Sequence, residues 1–235
     1  MTKIINPNKR LAALNIRPFN QSKAHKLSNV DMADVYEAYG IRNIGYVDIE
    51  CTNLHPEFGN VITICNLKRD VKTEKLTLKT YKTNSKEIQK SVDNRKVDFD
   101  KRIIKEFYKD FDVELAIGHY SSGWNKMDFP FLRGRALICG IQNLIPPYGK
   151  IKYGDTWKLT HMSIKSHSYT LDAVGHITGA KTQKTRIAEL EWQLAKYGNP
   201  KGIGYVLDHN IRDVKRTYQV HKAVERFNPI PTNYV

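Results

Sequence analysis

Two acidic side chains close an apolar segment near the start of the chain. Residues 44–49 alternate in the manner of a β-strand, and Asp48 and Glu50 stand two residues apart at its end. Because residues i and i+2 of a strand point to the same face, both carboxylates project together. Neighbouring buried anions repel each other unless a cation is shared between them. The pair therefore indicates a metal site, although a solvated strand end also fits these two residues.

Further acidic positions occur at the starts and faces of predicted helices. Asp128 follows a predicted strand, residues 113–118, and begins a helix that extends to about residue 139. His209 and Asp213 lie four residues apart on a predicted last helix, residues 205–227, so they share one face. Each has a commonplace alternative: a favourable helix-dipole interaction for Asp128, and surface hydrogen bonding for the other pair.

The elements that must position these residues form an α/β pattern. Three strands joined by turn-like segments predict an antiparallel meander at residues 44–49, 61–67 and 75–81. They are followed by predicted strands at 113–118 and 151–157, the latter ending at Asp155, and by helices at 99–111, 128–139, 171–177, 187–197 and 205–227. We therefore predict one sheet flanked by helices in residues 41–235, preceded by an N-terminal extension of residues 1–40 that contains one short helix.

Charge and composition suggest the class of partner. The 235 residues carry a net charge of +14, and residues 129–188 contain nine Lys or Arg against two Asp. A basic surface attracts polyanions, of which nucleic acid is the commonest, although it also simply aids solubility. No apolar run is long enough to span a bilayer or to form a signal peptide, so we expect a cytoplasmic protein without membrane contact. Cys51, Cys65 and Cys139 are scattered and odd in number, which is typical of reduced thiols.

The second acidic motif carries a family resemblance. Residues 127–136 read M-D-F-P-F-L-R-G-R-A and follow the D-I-E of residues 48–50, while Asp213 comes late in the chain. This order resembles the DEDD superfamily of 3′–5′ exonucleases, which have a ribonuclease H-like fold. The chain is most similar to stand-alone relatives of the proofreading domain of family B DNA polymerases. The likeness covers about residues 44–227 and includes Asp155, a segment at residues 168–174, Gly179 and the Lys184-Thr185 pair.

The resemblance implies a ribonuclease H-like mixed sheet, with three antiparallel strands plus parallel strands, and a two-metal site. Two Mg²⁺ or Mn²⁺ ions would be held by four carboxylates, with Asp48 bridging both ions and Glu50, Asp128 and Asp213 completing the shells. His209 would orient or deprotonate the attacking water. It stands where this branch of the family usually has Tyr, four residues before the last Asp; the other branch has His five residues before, at the position of Asp208.

The resemblance also implies contacts with nucleic acid. The residues expected to touch the terminal nucleotide, the backbone or unpaired bases are Thr52, Asn53, Leu54, Trp124, Asn125, Lys126, Phe129 and Arg133. Tyr120 and Arg135 are further candidates. For the aromatic residues core packing is an alternative, and the two arginines also fit a solvated helix face.

The expected function is a metal-dependent 3′–5′ exonuclease that releases nucleoside 5′-monophosphates from single-stranded DNA during replication or repair. A separate DNA polymerase or replication protein is an expected partner, because 235 residues leave no room for a polymerase domain. One alternative is an exoribonuclease, since the sequence gives no handle on the sugar. The other is a catalytically silent nucleic-acid-binding or polymerase accessory module.

Overall fold

The computed structural model describes residues 31–95, 98–121 and 127–227. These residues contain one sheet of five strands: β1 Asn43–Cys51, β2 Val61–Asp70, β3 Leu76–Lys82, β4 Leu115–Gly118 and β5 Lys152–Asp155. The strand order is β3-β2-β1-β4-β5. β1 pairs with β2, and β2 with β3, in antiparallel fashion, whereas β1–β4 and β4–β5 are parallel. The first strand thus lies in the middle of the sheet.

Eight α-helices occur in the described residues. They are α1 Met32–Ala38, α2 Ser85–Asp93, α3 Lys101–Asp110, α4 Asp128–Ile138, α5 Thr156–Ser163, α6 Leu171–Ile177, α7 Glu189–Lys196 and α8 Pro200–Val224, with a short 3₁₀ helix at Gln142–Leu144. The predicted fold class is confirmed: the chain is α/β, with a mixed sheet flanked by helices in an arrangement consistent with a ribonuclease H-like fold.

Alternate residues of β1 enter two different cores. Val47 and Ile49 pack among residues of α3 and α4 on one face of the sheet. Ile44 and Tyr46 pack against α1 and α8 on the other face, where Val214 is fully buried. Because side chains of a strand alternate between faces, Asp48 and Glu50 continue the row that faces α8.

The structure corrects several predicted boundaries. The strand predicted at residues 151–157 ends at Asp155, as expected, but the residues after it form the unpredicted helix α5, which Asp155 caps by accepting the backbone N–H of Trp157. Helix α2 was also not predicted; it begins with a capping box formed by Asn84 and Glu87. The last helix begins at Pro200 rather than residue 205, because Asn199 caps it and Pro is favourable in the first turn.

Helix α1 belongs to the packed structure. The side chain of Tyr36 is completely buried between the sheet and α8. The rest of the predicted N-terminal extension, residues 1–30, lies outside the described residues. No helix among the described residues has the length and apolar character needed to cross a membrane.

Gly118 sets the path of the chain from β4 toward Asp128. A Cβ atom at this position would lie 1.9 Å from Oγ of Ser121 and 3.1 Å from the carbonyl oxygen of Val47. Ser121 in turn accepts the backbone N–H of Phe129 through its carbonyl oxygen at 3.2 Å. Because Gly118 has no side chain, Ser121 can pack closely against it, and the chain that follows places the start of α4 beside the end of β1.

Candidate metal and catalytic site

Four of the predicted site residues meet where β1 crosses α8. His209 Nε2 lies 3.5 Å from Glu50 Oε1 and 3.6 Å from Asp213 Oδ2. Asn210, next to His209, donates its amide Nδ2–H to Asp48 Oδ2 at 2.5 Å. The two-residue spacing on the strand and the four-residue spacing on the helix thus place these side chains at one location.

Asp128 joins this cluster from helix α4. It is 5% exposed, and its Oδ1 accepts the backbone N–H of Ile49 at 3.3 Å. The residue before the helix, Met127, makes no side-chain cap among the described contacts. The carboxylate of Asp128 is therefore held against β1 by a specific hydrogen bond, in addition to lying in the first turn of its helix.

Burial and mutual repulsion dominate the electrostatics of the cluster. Burial, together with the negative charge of Asp213, raises the pKa of Asp48 to about 8. Burial and the neighbouring carboxylates also hold the pKa of Glu50 and of Asp128 well above the ordinary range. The fully ionised cluster is thus costly in the isolated protein and is stabilised by any nearby cation.

Lys184 supplies one positive charge to this cluster. Its Nζ donates to Asp213 Oδ2 at 2.8 Å, and its side chain is 35% exposed. Burial lowers the pKa of Lys184, but the charge and hydrogen bond of Asp213, together with the charges of Asp48 and Glu50, raise it overall. The lysine also lowers the pKa of Asp48 and of Glu50. Sequence reasoning assigned no role to Lys184, because it lies on a segment between helices and meets Asp213 only in the folded chain.

His209 is held in a fixed orientation beside the carboxylates. Its Nδ1 lies 3.0 Å from the hydroxyl Oγ1 of Thr185, and only 9% of the residue is exposed. Burial lowers the pKa of His209 from its ordinary value of 6.5, so the ring is neutral at pH 7. A neutral imidazole whose Nε2 faces carboxylates can accept or direct a proton there.

The donor set fits a hard divalent cation. It consists only of carboxylate oxygens, the ligands that Mg²⁺ and Mn²⁺ prefer. Asp213 Oδ1 is buried and has no hydrogen-bond partner within the described parts of the chain, and the same is true of Asn210 Oδ1. Such an unsatisfied oxygen in a carboxylate cluster is what a cation would satisfy.

Two of the four carboxylates accept hydrogen bonds from neighbouring protein side chains. No group of three or more His, Cys, Asp or Glu side chains in the described ranges is arranged to hold a metal ion. Asp48 instead receives the amide of Asn210, and Asp213 receives the ammonium of Lys184. The carboxylate oxygens are suitable ligands for a metal, but in the side-chain conformations of this structure two of them are hydrogen-bonded to Asn210 and Lys184.

The loop after β1 lies directly beside Glu50 and includes three predicted nucleic-acid contacts. Thr52 Oγ1 accepts the backbone N–H of Asn60 at 2.9 Å, which closes the loop. Asn53 Oδ1 accepts the N–H of His55, so both polar residues also stabilise the loop itself. Leu54 is 73% exposed, and Phe58, which the sequence did not single out, is 74% exposed. The loop that follows Glu50 therefore presents two apolar side chains to solvent.

The structure corrects the roles of two residues on α4. Phe129 is 4% exposed and lies in the core against Tyr153, so its ring is not available to stack on a base. Arg135 is fully buried in a bidentate ion pair with Asp100, so it neither grips a backbone nor covers a solvated helix face. The burial of Phe129 fits the core-packing alternative, whereas neither interpretation of Arg135 fits, because helix periodicity does not show which side of α4 meets the sheet.

The remaining predicted contacts are less defined by the structure. The guanidinium of Arg133 lies 4.6 Å from the ring centroid of Tyr153 and is partly exposed. Tyr120 is 47% exposed, with its backbone N–H donating to Asp155. Trp124, Asn125 and Lys126 lie outside the described residues.

Comparison with known proteins gives no match, either to a family model or to a curated sequence. The resemblance to DEDD exonucleases therefore rests on the sequence motifs of this chain alone.

Proposed function

We propose that the protein is a divalent-metal-dependent 3′–5′ exonuclease that acts on single-stranded nucleic acid. The observation that carries the proposal is the convergence of Asp48, Glu50, Asp128 and Asp213 from β1, α4 and α8. Their pKa values, where shifted, are raised by burial and by each other's charge. A structural role does not require four mutually repelling carboxylates at one location, whereas binding of cations does.

Each residue of the cluster has a defined part in this chemistry. The four carboxylates would hold Mg²⁺ or Mn²⁺, and the bound metal would activate a water and stabilise the departing 3′ oxygen. His209 faces Glu50 and Asp213 through Nε2 and takes a proton from, or orients, the attacking water. Asn210 positions the carboxylate of Asp48 through its amide hydrogen bond. Hydrolysis at the last phosphodiester then releases a nucleoside 5′-monophosphate.

The exposed loop beside Glu50 supports a single-stranded substrate. Leu54 and Phe58 are both more than two-thirds exposed and offer apolar and aromatic surfaces to unpaired bases. Stacking of this kind tolerates any base, which suits an enzyme that removes successive nucleotides. Phe58 thus replaces the buried Phe129 as the aromatic candidate for stacking on a base.

The finer details of substrate and partner follow from the resemblance. We propose DNA as the substrate in preference to RNA, with a role in replication or repair beside a separate polymerase or replication protein. An exoribonuclease of the same fold is the alternative within this chemistry.

One observation favours a second candidate, a silent nucleic-acid-binding module. Asn210 and Lys184 occupy one oxygen each of Asp48 and Asp213, and the described side chains do not form a ready metal-ligand set. If these contacts persist when metal is added, the basic protein binds nucleic acid without hydrolysing it.

A gel assay with 5′-labelled oligonucleotides separates these possibilities. Purified protein is incubated with single-stranded DNA or RNA in Mg²⁺, in Mn²⁺ or in EDTA, alongside an Asp48→Ala/Glu50→Ala variant. The proposal predicts a ladder of products that shorten from the 3′ end, absent in EDTA and in the variant. The sugar that yields the faster ladder identifies the substrate.

Two results would overturn the proposal. Binding of the labelled strand without any ladder in either metal would favour the silent module. A ladder that persists in the Asp48→Ala/Glu50→Ala variant would show that hydrolysis occurs elsewhere or by a contaminant.

A further inference from the structure

A basic cleft lies along helix α8 beside the carboxylate cluster. It has a volume of about 440 Å³ and is formed by the segment Lys181, Thr182 and Gln183 together with Asp208, Ile211, Arg212 and Lys215. This volume is within the range of roughly 300–1,000 Å³ typical of ligand pockets. None of these residues belongs to the predicted set of metal ligands or nucleic-acid contacts.

The charge of the cleft favours an anion. Three cations and one carboxylate line it, which gives a net charge of about +2. The single carboxylate, Asp208, is already paired with Arg212 through Nε at 2.7 Å. Lys181 and Lys215 are exposed and make no ion pair within the described residues. Their ammonium groups are therefore available to a ligand.

The wall of the cleft opposite α8 is anchored rather than loose. The backbone N–H of Thr182 donates to Gln219 Oε1 at 3.0 Å, and its carbonyl oxygen accepts from Arg216 Nη1. Arg216 is 5% exposed and also donates to the carbonyl oxygen of Leu171. Residues 181–183 thus stand at a fixed position against α8.

The same two elements reach the carboxylate cluster. Lys184, directly after Gln183, contacts Asp213, and Arg212 directly precedes Asp213 on α8. In a helix, adjacent residues are rotated by about 100° and rise by about 1.5 Å, so the cleft and the cluster occupy neighbouring faces of one helical segment. A strand whose end lies at the cluster would need to pass only a short distance to reach the cleft.

We propose that this cleft binds a backbone phosphate of the nucleic-acid strand, upstream of the nucleotide held at the carboxylates. The inference rests on the proposed function. Lys181 and Lys215 contact the phosphate as mobile point charges, and Arg212 adds N–H donors that its ion pair with Asp208 leaves unused. Such contacts carry no sequence information, so binding here is independent of the base.

The test is a binding measurement that does not depend on hydrolysis. Fluorescence anisotropy of labelled single-stranded oligonucleotides, in EDTA and over a range of salt, is compared for wild type and Lys181→Ala/Lys215→Ala. A Lys101→Ala/Lys105→Ala variant removes the same charge from exposed positions on α3 and serves as the control. We expect the cleft variant to bind roughly tenfold more weakly for every sequence, with a salt slope smaller by about one, while the control changes little.

The outcomes distinguish this inference from the proposed exonuclease activity. Equal affinities and salt slopes for the cleft and control variants would overturn the cleft inference, even if wild type produces a 3′ ladder. Weaker binding by the cleft variant alone would support it, even if no ladder forms. A separate titration with a nucleoside 5′-monophosphate tests the other source of phosphate. If the variant loses this binding but keeps its affinity for the strand, the cleft belongs to a free nucleotide and the proposal is wrong.

Discussion

The carboxylates of the site repel one another, and the ammonium of Lys184 opposes this repulsion. Asp48, Glu50 and Asp128 have raised pKa values because burial and like charge oppose ionisation. Lys184 offsets part of this cost through its contact with Asp213 at 2.8 Å. The lysine thus acts on the same groups that a divalent cation would stabilise.

Replacing Lys184 with Ala should therefore make the protein more dependent on metal. We expect the free energy of unfolding in EDTA to fall by about 1–2 kcal/mol, less than for a fully buried pair because Lys184 is 35% exposed. Added Mn²⁺ should restore more stability to this variant than to wild type. Thermal unfolding with and without Mn²⁺ measures both effects. If Mn²⁺ raises the melting temperature of the two proteins equally, Lys184 and the metal do not stabilise the same carboxylates.

Replacing His209 with Ala tests the proposed water-directing residue. The ring lies within 3.6 Å of two carboxylates and is neutral at pH 7, so we expect the hydrolysis rate to fall by about 100-fold or more. His176→Ala, on the exposed side of α6, is the matched control. An unchanged rate in the His209 variant would show that water is activated without this imidazole.

Spacing predicted the residues that lie on one element, but not those that meet through tertiary contact. Two-residue spacing on β1 placed Asp48 and Glu50 on one face, and four-residue spacing on α8 placed His209 with Asp213. Lys184 had no such signal, because no local periodicity connects residue 184 with Asp213, 29 residues later. Its contact depends on how the preceding loop is anchored to α8.

At the scale of elements, a buried ion pair supports the loop beside Glu50. Arg135 on α4 pairs with Asp100 and also donates to the carbonyl oxygen of Pro56 and to Asn60 Oδ1, each at 2.9 Å. Asp100 Oδ2 accepts the backbone N–H of Val61 at the start of β2. The pair therefore links α3, α4, β2 and the loop.

Replacing Arg135 with Ala should destabilise the fold strongly. Removing one partner leaves Asp100 buried and unpaired, which costs about 3–5 kcal/mol. Arg102→Ala is the matched control, since Arg102 is 43% exposed and its ion pairs with Glu87 and Glu106 lie at the surface. Chemical denaturation compares the two variants. If both variants lose the same free energy of unfolding, the buried Arg135–Asp100 pair contributes no more to stability than the exposed pairs of Arg102.

The types of most elements were predictable because their apolar patterns are strong. The predicted antiparallel meander is confirmed, since turn residues separate three clear strand patterns. The short helix α5 was missed because its eight residues follow β5 without a break, and only the capping contact of Asp155 marks the change. Boundaries of this kind depend on side-chain hydrogen bonds that periodicity does not show.

At the scale of the whole molecule, a buried polar network links the two ends of the described chain. His221 on α8 is fully buried; its Nδ1 lies 2.8 Å from the hydroxyl of Tyr46 and its Nε2 lies 3.3 Å from that of Tyr36. Tyr36 also donates to Glu225, which pairs with the buried Arg69. The network thus joins α1 to the C-terminal end of α8 through buried hydrogen bonds.

This network predicts a specific pH dependence of stability. Burial lowers the pKa of His221 to about 4, whereas the unfolded chain protonates it near 6.5. Its contribution to stability is therefore complete above about pH 6.5 and is lost as the pH falls toward 4, by roughly 3 kcal/mol in total. Unfolding free energies of wild type and His221→Gln across this range isolate the effect. A difference between the two proteins that does not change with pH would contradict the assignment.

The order of strands could not be derived from patterns alone. Alternation predicted five strands, and the family resemblance implied a mixed sheet, but the central position of β1, between antiparallel β2 and parallel β4, was not predicted. That central position matters because it places Asp48 and Glu50 beside both α4 and α8.

Identifying the first product tests the central claim most directly. A single-stranded oligonucleotide with one distinctive base at its 3′ end is incubated with Mn²⁺ and either wild type or Asp213→Asn, and the released nucleotide is identified by chromatography. We predict that wild type first releases the 3′-terminal nucleoside 5′-monophosphate and that the variant is slower by about 100-fold or more. Release from the 5′ end, internal fragments, or equal rates for both proteins would contradict a 3′–5′ exonuclease built on this carboxylate cluster.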